Sequence, residues 1–109
     1  MKTRRGEVLI NGTVCGLIEE TAAGFSFAYR PDYLARPSAV SVSLTLPCRA
    51  EPYEAPVLFP FFSGLLAEGT LREMQCRMFK LDENDDFGLL LTSAGGDVIG
   101  AVSVRPPNT

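Results

Sequence analysis

The sequence predicts an α+β fold, a small and mainly antiparallel sheet with about three short helices covering one face. Three observations carry that expectation. Residues 7–10 and 13–18 are β-rich runs on either side of Asn11–Gly12, a dipeptide suited to a type I′ hairpin turn, which needs φ > 0 twice. Val40, Val42, Leu44 and Leu46 alternate with Ser41, Ser43 and Thr45, the period-two pattern of a half-buried strand. After residue 56 the apolar period becomes helical, which separates a strand-rich first half from a helix-rich second half.

Taken in order, the hairpin is followed by a polar connection over residues 19–24. Phe25, Phe27 and Tyr29 then alternate with Ser26 and Ala28, giving a third strand with an aromatic face. Residues 31–35 can form one helical turn behind Pro31. The strand at residues 40–46 is stopped by Pro47, and residues 48–56, with Pro52 and Pro56, read as an irregular loop.

The segment from Leu58 to Gly69 organises the rest. Leu58, Phe61, Phe62, Leu65 and Leu66 make a wide apolar stripe on a short helix over residues 60–67. Pro60 suits its first position, Gly64 weakens it, and Gly69 can end it. Thr70 and Glu73 have capping-box spacing, so a second helix is expected over residues 70–79, with Leu71, Met74 and Met78 facing inward. Asp85 or Asp86 can cap a third helix at residues 87–92, burying Phe87, Leu90 and Leu91. Gly95–Gly96 breaks it, and residues 98–104 form a last strand interior to the sheet.

At 109 residues the chain has the length of one domain, residues 1–109, and buries roughly two thirds of its unfolded surface. Net charge is −3 and pI about 4.9, so there is no electrostatic footprint for nucleic acid, and Lys2, Arg4 and Arg5 read as a solvated end. No apolar run approaches the ~20 residues of a membrane span, and no secretory leader is recognisable, so a cytoplasmic location is expected. Without such a leader, the sequon Asn11–Gly12–Thr13 carries little weight. Cys15, Cys48 and Cys76 are odd in number and widely spaced. They read as free thiols in a reducing compartment.

The chain has no histidine, which removes the usual general base, Ser–His and Cys–His pairs, and most zinc sites. Asp86–Phe87–Gly88 spells a kinase magnesium motif, yet no Gly-rich loop or histidine-bearing catalytic loop accompanies it. A helix cap followed by a core phenylalanine accounts for those residues. Asp82, Asn84 and Asp86 imitate the start of a calcium loop, but Phe87 stands where that loop requires glycine. Gly95–Gly96–Asp97 precedes no helix that could hold a phosphate. The expectation is a protein without enzymatic activity, cofactor or metal.

The motifs stand in a definite order. The hairpin comes first and then Phe27–Ala28–Tyr29. Ser41–Val42–Ser43–Leu44–Thr45–Leu46–Pro47 follows, and then the run from Phe61 to Gly69. Phe87–Gly88–Leu89–Leu90 and a closing Gly96–Asp97–Val98–Ile99–Gly100–Ala101–Val102 complete the set. This set resembles the N-terminal domain of HipA-type toxin kinases, over about residues 7–106. Two details depart from it: the family usually carries an acidic residue and asparagine at Ser63 and Gly64, and proline at Ala67. The chain is also similar in size to HipS, the small component of three-gene HipBST toxin–antitoxin systems. The resemblance implies a subunit that binds and restrains a separately encoded HipT-like Ser/Thr kinase, with a HipB-like DNA-binding protein as a further partner. It equally allows a structural subunit that completes a split kinase without inhibiting it.

The junction of the two central helices is the candidate partner-binding site. The stripe places Phe61, Phe62 and Leu66 inward, which leaves Leu65, Glu68, Gly69 and Arg72 as an exposed apolar and charged group. In HipA proteins the matching segment joins the domain core to the side facing the kinase, so the resemblance implies the same place.

Overall fold

The computed structural model describes residues 4–93 and 102–106. In chain order the elements are β1 (Arg5–Ile10), β2 (Thr13–Thr21), β3 (Gly24–Tyr29), α1 (Pro31–Leu34), β4 (Tyr53–Ala55), α2 (Pro60–Ser63), α3 (Gly69–Phe79), α4 (Asp86–Ser93) and β5 (Val102–Arg105). The five strands form one antiparallel sheet in the order β4-β3-β2-β1-β5. The α+β class and the antiparallel sheet agree with the sequence expectation.

The Asn11–Gly12 turn forms with φ of 50° and 84°, the left-handed pair that its residues favour. β2 runs through the polar residues to Thr21, so the expected connection shrinks to a tight turn into β3. Val8 pairs with Gly16 and Leu9 with Val14, which makes Cys15 the extra residue of a β-bulge. Its thiol is fully buried, and burial pushes its pKa up to about 12. Cys76 is buried as well and Cys48 half-buried; all three cysteines are free.

Val8, Ile18, Phe27, Tyr29 and Val104 are buried on the sheet face that meets the helices. Phe62 of α2 meets Phe27 edge-on at 5.5 Å between ring centroids, and Phe87 of α4 meets Phe25 in the same way at 5.5 Å. Such aromatic pairs add to burial because a ring edge and a ring face carry opposite partial charge. Phe62 touches Phe59 and Phe61 too, so the expected hub residue is the centre of the core.

Four expectations are corrected. Residues 40–46 are not a strand: only an isolated bridge joins Ser43 to Leu46. Val42 and Leu46 are buried, whereas Val40 is exposed and Leu44 is 99% exposed. The backbone finds its partners in side chains. The Tyr29 hydroxyl donates to the Leu46 carbonyl and accepts from the Val42 amide at 2.9 Å. Second, the expected loop at residues 48–56 contains β4, which pairs Ala55 with Phe25 and Tyr53 with Phe27. Third, the helix expected over residues 60–67 is one turn, ended by Gly64 in a right-handed conformation. Fourth, among the described residues β5 lies at the sheet edge, pairing with β1, and is not interior. Residues 98–101 of the expected strand, and the Gly95–Gly96 break, fall outside the described residues.

Of the N-terminal cations, Arg4 is more than part of a solvated end, Arg5 is exposed as expected, and Lys2 lies outside the described residues. The Arg4 guanidinium pairs at 2.8–3.1 Å with both carboxylate oxygens of Glu20 on β2 and both of Asp85 before α4. Its carbon lies 5.5 Å from the Phe87 ring centroid. These pairs hold both carboxyls below their usual range.

Candidate partner-binding site

The candidate site is a corner between α2 and α3. After Gly64, the Leu65 amide bonds to the Phe62 carbonyl at 3.1 Å and the Leu66 amide to the Ser63 carbonyl at 3.2 Å. This loose turn drops Leu66 into the core. Glu68 is extended and caps α3 without a side-chain bond, so the expected capping box of Thr70 and Glu73 does not form. Gly69, at the first residue of α3, has φ of 62°, and no atom lies within 4 Å of where a Cβ would sit. Only glycine takes that conformation cheaply, so the corner depends on its backbone freedom and not on tight packing.

The four expected residues are neighbours in space but not alike in exposure. Glu68 and Gly69 are exposed. Leu65 is half-buried and packs against the core cluster. Arg72 is turned toward α4: Nε and Nη2 donate to the Glu83 carbonyl at 3.1 and 2.7 Å, and Nη2 also bonds to the Asp86 carboxylate. Arg72 therefore fixes the angle between α3 and α4, and the free charge at the corner belongs to Glu68.

The Asp86–Phe87–Gly88 triplet opens α4. Asp86 is held by Arg72, and Phe87 is buried in the core. Asp85 caps the helix by accepting the Gly88 amide at 3.1 Å while it pairs with Arg4. A helix cap followed by a core phenylalanine is what the sequence led one to expect of these residues. The carboxylate of Asp82 accepts the Asn84 amide at 2.8 Å, a local turn bond.

The inward methionine stripe is corrected. On α3 Leu71 is 56%, Met74 54% and Met78 70% exposed. Cys76 is the residue that α3 buries, with Arg72 and Gln75 beside it. The i, i+3, i+7 spacing marked the stripe correctly but did not say which side of the helix met the core.

Comparison with known proteins gives these features a family. A family model described as "HipA N-terminal domain" matches residues 6–105. The chain belongs to the HipA N-terminal domain family. An uncharacterized protein of Haemophilus influenzae is 36% identical over 102 residues, covering 94% of this chain and 92% of that protein. The putative kinase Y4mE of Sinorhizobium fredii is 34% identical over 107 residues, which covers 97% of this chain and 25% of the kinase. The chain thus spans a quarter of that relative's length. A solved structure of the N-terminal domain of HipA toxin superposes with a TM-score of 0.72 at 31% identity, covering 97% of this chain and 94% of the solved one. The fold here is that HipA N-terminal domain fold, bulged hairpin and exposed α3 stripe included in this chain's version of it.

Proposed function

We propose that this HipA N-terminal domain acts as a non-catalytic regulatory subunit that binds and restrains a separately encoded HipT-like Ser/Thr kinase in the cytoplasm, in a complex that can include a HipB-like DNA-binding protein. The observation that carries the proposal is a pair of relatives. The same domain makes up one quarter of a putative kinase and nearly the whole of the Haemophilus influenzae protein. A domain that occurs both joined to a kinase and on its own is suited to bind that kinase in trans. The chemistry of the chain supports a binding role: no histidine is present, and the kinase-like triplet is occupied with opening α4. No helix among the described residues is long and apolar enough to cross a membrane.

The corner at Leu65, Glu68, Gly69 and Arg72 is the proposed start of the contact, with Glu68 as its exposed charge and Arg72 tying α3 to the start of α4. A second reading, a scaffold that completes the kinase fold without inhibiting it, is favoured by the joined arrangement in the Sinorhizobium fredii relative. Co-expression separates the two. A kinase that arrests growth alone and is silenced by this chain identifies an antitoxin. A kinase that is inactive alone and active only with this chain identifies a scaffold, and no effect in either direction overturns both readings.

A further inference from the structure

The outward stripe of α3 carries an inference that rests on the proposed kinase-binding function and locates it. Leu71, Met74 and Met78 stand at i, i+3 and i+7, so their side chains form one continuous apolar strip along an eleven-residue helix. All three are more than half exposed. Glu73 and Arg77, both exposed, border the strip, giving the apolar centre and charged rim of a binding surface. On its other border stands the half-buried Gln75. Methionine side chains adapt to the shape of what covers them, which suits a surface that is bare until a partner arrives.

We infer that this strip seats the kinase body of a HipA-type protein. The occupant is argued from length and continuity. In the Sinorhizobium fredii relative three quarters of the polypeptide lies outside the matched domain and is tethered to it by the chain itself, which keeps a large body of protein beside the domain's surface. Here the strip begins at Leu71, two residues after Gly69 and the corner, so corner and strip form one unbroken surface.

The test uses the full chain and a catalytically inactive HipT-like kinase from the same organism, with affinity measured by calorimetry. Met74→Glu with Met78→Glu is expected to keep the melting temperature, because both side chains are exposed, and to weaken binding roughly 30-fold or more, the loss typical of a hot spot. Ala22→Lys, in the exposed turn between β2 and β3 and outside both corner and strip, is expected to bind as the parent does. If the parent binds and the folded double variant binds within about threefold of it, the strip is not the seat, while the kinase-binding function stands. If the parent shows no binding at all, the function itself fails, and the inference with it. If the parent is a dimer that the double variant dissolves without loss of kinase binding, the strip is a self-association surface and the inference is overturned.

Discussion

Two tyrosine hydroxyls do for residues 40–46 what a neighbouring strand would otherwise do. Tyr29 bridges the Val42 amide and the Leu46 carbonyl, and Tyr33 accepts from the Val40 amide at 3.0 Å and donates to its carbonyl at 2.8 Å. Tyr29 is buried, so its bonds cannot be replaced by water, and burial pushes its own pKa up to about 12. Tyr29→Phe strands an amide and a carbonyl in the interior and is expected to cost about 1–3 kcal/mol in urea unfolding. Tyr33→Phe should cost less, because its bonds are only partly buried. Equal and negligible losses for the two variants would mean that the segment is held by Val42 and Leu46 alone. The same residues explain why this stretch misleads a reader of the sequence. Perfect alternation promises one buried face of four residues, but only Val42 and Leu46 turn inward. The pattern cannot reveal that β4 already occupies the free edge of β3 or that a side chain can satisfy the backbone instead.

At the scale of elements, Arg4 is the strap between the sheet and α4. It binds Glu20 and Asp85, which are far apart in sequence, and it stacks near Phe87. Both carboxyls have folded pKa values below their unfolded ones, chiefly through the bonds from Arg4. Their stabilisation is therefore complete above the unfolded values, about 4, and is lost as pH falls through the depressed folded values. Arg4→Met should lower the melting temperature at pH 7 and flatten its decline on acidification. A parallel decline in parent and variant would show that other carboxylates govern acid sensitivity. Elements set by local chemistry were legible: Asn11–Gly12 forced the hairpin, the Phe25, Phe27 and Tyr29 alternation marked β3, and the pair Asp85 and Asp86 marked the start of α4, with Asp85 proving to be the cap. Elements set by distant partners were not. Nothing near Arg4 or Arg72 announces an acid 81 or 14 residues away. The side of α3 that met the core depended on packing, and its most apolar strip lost that place to Cys76. The sequence marked the junction between α2 and α3, but that Arg72 is bound inward while Glu68 is exposed needed the fold.

For the whole molecule, the proposed kinase complex would add to stability by mass action, since its formation requires the folded chain. At a kinase concentration about one hundred times Kd the gain is about 2.7 kcal/mol, or about a hundredfold slower exchange of amides that open only on global unfolding. Hydrogen exchange at Val8 and Ile18 in the sheet centre reads this directly. Unchanged exchange there with the kinase in excess would remove the proposed complex.

β1 and β5 are neighbours in the sheet although they stand at opposite ends of the described chain, and Glu7 is bound to Arg105 across them at 2.9 Å. The polypeptide thus enters and leaves this fold at one spot. A unit with a single doorway can be severed from a longer gene, or grafted back into one, with one cut and little disturbance to its interior. Such geometry makes fission and fusion cheap evolutionary steps, and the domain is found in both settings, as a quarter of one relative and nearly the whole of another.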